Sequence, residues 1–274
     1  MSTPSPGAPS RIEVWSRAAD ARRRIGRAVE FHAQIGSTND RALSALSEPG
    51  GEGLAIVADL QTRGRGRRGR AWLSPPGANL MVSVGLRPRM TIADAWWIGA
   101  AAALATCQAG ASASGAPLAI RWPNDIVSRD GLKVAGLLIE TILEGDALAA
   151  AVIGIGINVN WPRSSMPADI AERATSLGEL RGEPIDRVEL LSRLLARLDA
   201  EVADGEAGRS PLPRYRSSQW LAGRQVTVRA ADRVLEGEVT GIGEDGGLLL
   251  RTPDGSLHIG IGEVVHVADR SWIP

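Results

Sequence analysis

The stretch that decides the reading is Gln61-Thr62-Arg63-Gly64-Arg65-Gly66-Arg67-Arg68-Gly69-Arg70-Ala71-Trp72. It follows Leu54-Ala55-Ile56-Val57-Ala58, an apolar run with the length and composition of a buried strand. Glycines let a backbone approach an anion closely, and the interleaved guanidinium groups neutralise it. A single such loop at the end of a buried strand reads as a phosphate-handling loop. The competing reading is an Arg-Gly tether for nucleic acid. Such tethers sit in long basic regions, whereas here 31 basic residues balance 31 acidic ones.

Upstream of the loop, a strand begins near Glu30. Gly36-Ser37-Thr38-Asn39-Asp40 then reads as a turn and helix N-cap before a helix over 41–46. Downstream come a strand at about 79–86, a helix at about 92–110 and a short strand at 118–121 that runs into Trp122-Pro123-Asn124-Asp125. Two neighbouring strands, 131–140 and 147–158, turn at Glu144-Gly145-Asp146. Leu190, Leu191, Leu194, Leu195 and Leu198 fit one helix face. From about Leu221 the chain becomes short strands split by glycines, at 225–230, 234–242, 247–251, 258–261 and 264–267, the size of an SH3-like barrel. Residues 1–9 are Pro/Ser-rich and predict disorder, and 11–27 are Arg-rich with the capacity for a helix. The expected organisation is a partly disordered N-terminal tail over 1–28, a large domain over 29–220 and a small β domain over 221–274. The fold class is α+β, a mixed sheet flanked by helices.

Apolar residues at 44% and charged residues at 23% of 274 are the balance of a soluble globular protein. No apolar run reaches the roughly 20 residues a membrane span needs, and the nearest candidate, Ala95 to Gly110, is short, rich in alanine and reads as a buried helix. No basic segment precedes an apolar one at the N-terminus, so no secretory signal is read. The one cysteine, Cys107, cannot form an internal disulfide and reads as a core residue of the alanine-rich helix. Together these place the chain in the cytoplasm, without membrane partners. Three scattered histidines (His32, His258, His266) and one cysteine argue against a zinc site.

Thirty of the 31 basic residues are arginine, and the one lysine is Lys133. In a chain that uses arginine for generic positive charge, a retained lysine points to a need for a compact ammonium. The plainer reading is a surface lysine on a strand. Lys133 lies in Gly131-Leu132-Lys133-Val134-Ala135-Gly136, just after Arg121-Trp122-Pro123-Asn124-Asp125. Asp125 reads either as a turn residue, a metal ligand or an anchor for arginines. A third constellation, Gly154-Ile155-Gly156-Ile157-Asn158-Val159-Asn160, alternates glycine inside a strand, which marks close approach by a ligand or another part of the chain. Trp161-Pro162 follows instead of a helix, so it is not a Rossmann fingerprint, and no Walker A sequence occurs.

These five motifs, from Gly-Ser-Thr-Asn to Gly-Ile-Gly-Ile-Asn-Val-Asn and in this order, resemble the biotin–protein ligase family, over about residue 30 to the C-terminus. The resemblance implies a catalytic domain like that of class II aminoacyl-tRNA synthetases and lipoate ligases, with the terminal SH3-like barrel. It implies Ser37, Thr38, Asn39, Gln61, Gly64, Arg65, Trp72, Lys133, Gly136 and Leu138 at biotin. It implies Arg67, Arg68, Arg70, Arg121, Asn124, Asp125 and Asn158 at ATP or the adenylate, with Asp125 also at Mg²⁺. Lys133, Arg65 and Arg67 would carry the catalysis. One departure stands out: the family commonly has lysine before Trp-Pro-Asn-Asp, and this chain has Arg121. Longer members carry a DNA-binding domain, for which the residues before Glu30 are too few, so no operator binding is expected.

The implied reaction uses biotin, ATP and Mg²⁺. It attaches biotin to a lysine of the carrier domain of acetyl-CoA or a related acyl-CoA carboxylase, as a ligase forming a C–N bond. A lipoate–protein ligase is the nearest enzymatic alternative, and a non-catalytic nucleic-acid-binding protein using the Arg-Gly loop is an alternative of another class. The sequence does not decide between monomer and dimer.

Overall fold

The computed structural model describes residues 10–145 and 147–268. The disorder expected over 1–9, the last residue of the expected Glu144-Gly145-Asp146 turn and the end of the chain from 269 lie outside the described residues. In chain order the elements are α1 (Arg11–Ser16), β1 (Val29–His32), α2 (Thr38–Ala45), β2 (Ala55–Ala58), β3 (Leu80–Leu86), α3 (Trp96–Ser114), β4 (Leu118–Arg121), β5 (Asp125–Ser128), β6 (Lys133–Glu144) and β7 (Ala147–Ile157). After them come α4 (Ala168–Ala171), α5 (Leu177–Arg181), α6 (Arg187–Glu206), α7 (Leu212–Ser217) and five strands, β8 (Gln225–Ala230), β9 (Arg233–Ile242), β10 (Leu248–Thr252), β11 (Gly255–Ile259) and β12 (Glu263–Val267).

The large sheet has the order β1-β2-β3-β7-β6-β5-β4. β1 and β2 are parallel and every other neighbouring pair is antiparallel, so the sheet is mixed, as expected. β2 and β3 are buried along their whole length, which is why they read as continuous apolar runs rather than alternating ones. α3 lies on this sheet beneath α6. Its alanines, Ala100 to Ala103 among them, are buried and small enough to let the backbone come close. α6 starts at Asp186, whose side chain accepts from the amides of Val188 and Glu189, and it buries the predicted leucine face completely. Cys107 is a core residue: its thiol donates to Leu118 O at 3.2 Å, and burial pushes its pKa up to about 12, which leaves it an inert thiol.

The second sheet, β11-β10-β9-β8-β12, is antiparallel throughout and forms the terminal SH3-like module. It is clamped to the large domain. The Trp122 indole donates to Gly246 O at 3.0 Å, and Trp96 packs so closely on Gly246 that a Cβ there would stand 2.6 Å from the ring.

Within the segment expected as a partly disordered tail, residues 10–28 pack against the large domain. Ser10 caps α1 with a reciprocal capping box to Glu13, and Trp15, Ala18 and Ile25 sit in the main core. Trp15 stacks on Phe31 with centroids 5.7 Å apart, and the Arg187 guanidinium lies over the Trp15 ring at 5.2 Å. Arg11 reaches Asp59 at 2.7 Å. Six arginines between positions 11 and 27 make the segment look like a solvated arm. Trp15, Ala18 and Ile25 nevertheless turn inward while Ile12 stays exposed, and the helix is confined to Arg11–Ser16.

Candidate active site

One cavity of about 450 Å³ opens between the sheet, the Arg-Gly loop and β12 of the terminal module. Most of the expected site residues line it: Ser37, Thr38, Asn39 and Gln61 at one end, and Arg65, Arg67, Arg70 and Trp72 from the loop. Arg121, Asn124, Asp125, Lys133, Gly136, Leu138 and Asn158 come from the sheet. Gly64 and Arg68 do not line it. Gly64 O accepts from Trp72 N at 3.0 Å and so closes the base of the loop. Arg68 adopts a left-handed conformation (φ 56, ψ 37) and turns outward to Glu263 at 3.5 Å.

The polar end is built on the N-terminus of α2 and on β3. Ser37, Thr38 and Asn39 are buried, and Gln61 Oε1 accepts from the Thr38 amide at 2.8 Å. Ser83, a buried serine in the apolar strand β3, contacts Thr38 Oγ1 at 2.7 Å and Asn39 Oδ1 at 2.6 Å. Sequence reading passes over Ser83 because it sits inside what reads as a plain core strand. The alternating glycines of β7 now have an account. A Cβ on Gly154 would stand 2.2 Å from Asn39 Oδ1, and one on Gly156 would stand 2.6 Å from the Trp72 ring. What approaches the strand is therefore a pair of site side chains. Trp72 lines the cavity, and its Nε1 is buried with no hydrogen-bond partner among the described residues.

The charged end centres on Asp125. Its Oδ1 lies 2.6 Å from Lys133 Nζ, and its Oδ2 lies 2.9 Å from Arg121 Nη2. Burial pushes the Asp125 carboxyl up, but the charges and hydrogen bonds of Lys133 and Arg121 outweigh it and hold its pKa below the ordinary value. This is an anchoring role for the two cations. Both oxygens already face cations, and no group of three or more His, Cys, Asp or Glu is gathered for a metal among the described residues. Lys133 Nζ also stands 5.6 Å from the Trp72 ring centroid. Arg67, which also lines the cavity, makes direct contact among the described residues with neutral oxygens, Asn124 Oδ1 and Gly262 O, both at 3.4 Å. Burial and then the like charge of Arg68 pull its pKa below the ordinary arginine value. A partly buried cation with neutral partners, facing the same cavity as Lys133, is a place for an anion.

Other expected residues have structural roles as well. Asn158 lines the cavity, while its amide nitrogen donates to Thr175 O at 3.1 Å and Lys133 O at 3.4 Å. Asn124 Nδ2 donates to Leu137 O at 2.7 Å. Arg70 pairs with Glu263 at 2.6 Å, and Arg65 pairs with Asp40 at 2.8 Å. Glu263 through Val267 add a wall from the terminal module, which no motif in the sequence announces.

Residues 31–158 match the Biotin/lipoate A/B protein ligase family, and residues 222–267 match the Biotin protein ligase C terminal domain. The chain is 33% identical over 248 residues to a biotin--[acetyl-CoA-carboxylase] ligase of Mycobacterium tuberculosis, covering 88% of this chain and 90% of that one. It is 34% identical over 246 residues to the enzyme of that name from Paracoccus denitrificans, covering 85% and 98%. Among solved structures, the biotin protein ligase from Aquifex aeolicus in complex with biotin and ATP superposes with a TM-score of 0.73 at 31% identity, covering 86% of this chain and 97% of that one. With the motifs in order, the two sheets in place and one cavity gathering the motif residues, this chain belongs to the biotin–protein ligase family.

Proposed function

We propose that this chain joins biotin to ATP as biotinyl-5′-AMP and then passes the biotinyl group to a lysine of a biotin carboxyl carrier domain. In the first step the biotin carboxylate oxygen attacks the α-phosphorus of ATP, and pyrophosphate leaves. In the second the carrier amine attacks the acyl carbon, AMP leaves, and the amine gives up a proton. The first step brings two anions together, so it needs cations and positioning more than an acid or base. The observation that carries the reading is the arrangement of Lys133 and Arg67. One is an ammonium held by a partly buried carboxylate, the other a guanidinium with neutral partners, and both face the cavity. Arg121, tied to Asp125, supports Lys133 from behind.

Mg²⁺ is expected with the nucleotide, where it would neutralise phosphate charge. The residues present do not offer it a protein-ligated site, since Asp125 is occupied by two cations. No step is assigned to it. Trp72 and the Arg-Gly loop close the site, and Glu263 of the terminal module holds the loop through Arg68 and Arg70, which keeps water from the reactive anhydride until the carrier arrives. The test is transfer of labelled biotin to a carrier domain in the presence of ATP. Label should appear on the carrier lysine, and a lysine-free carrier variant should stay unlabelled. Absence of label on an intact carrier while biotin still binds would reduce the chain to a biotin-binding relative.

A further inference from the structure

Glu140 lies on β6, opposite Val152 of β7; its side chain is half-exposed and does not line the cavity. Its Oε2 accepts from Asn39 Nδ2 at 2.5 Å, and its two oxygens lie 3.3 and 3.4 Å from Arg65 Nη2 of the Arg-Gly loop. We propose that Glu140 is a positioning residue that fixes the order of protons at the polar end of the cavity and ties that end to the loop.

The order follows from counting donors. A carboxylate only accepts, so the atom of Asn39 that faces it must be the NH₂ group, and Asn39 Oδ1 must face Ser83. An amide oxygen only accepts, so Ser83 gives its single proton to Asn39 at 2.6 Å. Thr38 Oγ1 then gives its single proton to Ser83 Oγ, 2.7 Å away, or to Gln61 Oε1, 3.1 Å away. Gln61 Oε1, fixed by the Thr38 amide at 2.8 Å, cannot donate to Thr38 either. Thr38 Oγ1 is left with lone pairs for whatever enters the cavity. The polar end therefore presents an acceptor, which suits a ligand carrying N–H groups, such as a cyclic urea, and gives nothing to a dithiolane. Without Glu140 the Asn39 amide is free to turn over and the whole order can reverse. This deepens the biotin reading above and rests on it.

The experiment measures biotin affinity by calorimetry for the parent, Glu140→Ala and Glu140→Gln, together with the rate at which preformed biotinyl-adenylate is lost in a chase. Glutamine can still accept from Asn39 but offers Arg65 no charge. Glu140→Ala should weaken biotin roughly tenfold or more, the effect of removing the acceptor from a buried amide. Glu140→Gln should stay within about threefold of the parent for biotin, because the acceptor remains. Both variants should lose the adenylate faster, by similar factors. Biotin affinity of Glu140→Ala equal to that of the parent, or an equal loss of biotin affinity in both variants, would overturn the proposal. If the parent itself bound no biotin, the functional reading would fall together with it. Should Glu140→Ala not fold, Ser83→Ala interrupts the same order of protons and carries the same expectation for biotin.

Discussion

Replacing Lys133 by arginine keeps the charge and asks whether its compactness matters. The ammonium has little room. It lies 2.6 Å from Asp125 Oδ1, and a Cβ on Gly136 would stand 3.0 Å from both its Nζ and its Cε. A guanidinium is wider and carries its donors in a fixed fork. It must either turn back onto Asp125, duplicating Arg121 and leaving the cavity, or reach past Trp72 and give up Asp125. At an effective dielectric of about 20, two unit charges at this separation attract by about 6 kcal/mol before desolvation is subtracted. Much of that survives in the variant, because Arg121 still holds Asp125 and the new guanidinium can too. The stability change should stay at about 1–2 kcal/mol, a shift of roughly 2–8 °C in Tm for a chain of this size. The rate should fall further: losing one donor aimed at developing charge costs roughly 10²–10³-fold, or about 3–4 kcal/mol of barrier. Single-turnover adenylate formation, read beside a thermal melt, separates the two effects. Turnover within about threefold of the parent would mean that any cation serves here, and the special standing of the single lysine would be lost.

Other expectations are smaller. Gly156→Ala places a Cβ 2.6 Å from the Trp72 ring, so the indole must move; biotin affinity should drop by roughly tenfold, an overpacking cost of about 1–3 kcal/mol, measurable by titration calorimetry. The Asp125 carboxyl has its folded pKa lowered, so its contribution to stability is fully present above the ordinary value of 3.8 and is lost as pH falls through the folded value. Acid unfolding of Asp125→Asn should accordingly show a flatter limb below that pH than the parent, and superimposable limbs would deny the carboxylate its anchoring role. Incubation with biotin and ATP but no carrier should leave the protein without biotinyl-lysine by mass spectrometry, because Lys133 is the one lysine and is held by Asp125 at 2.6 Å.

Much of this was legible in the sequence, for identifiable reasons. β4 and β8 run over 118–121 and 225–230 as expected, since each is a short apolar or alternating run bounded by turn residues. α3 and α6 follow from composition and leucine spacing, although α3 starts after a separate turn at Ile92–Asp94. The strand β5 was missed because Asp125 ends a motif that reads as a turn, yet it begins a pairing with Gly136 of β6. The site residues that announce themselves are those with unusual local chemistry: the Arg-Gly loop, the lone lysine and the strand glycines. Ser83, Glu140 and Glu263 do not, because a serine in an apolar strand and two surface glutamates gain meaning only from the partners that folding brings to them. The N-terminal segment misled for the opposite reason, since its arginines masked the inward-facing Trp15 and Ile25.

The most direct measurement is ATP–pyrophosphate exchange by the purified protein with biotin, with lipoate and with no added acid. Exchange that requires biotin is the expected result and establishes adenylation. Exchange driven by lipoate instead, or none with either acid while biotin binds, would contradict the proposed activity.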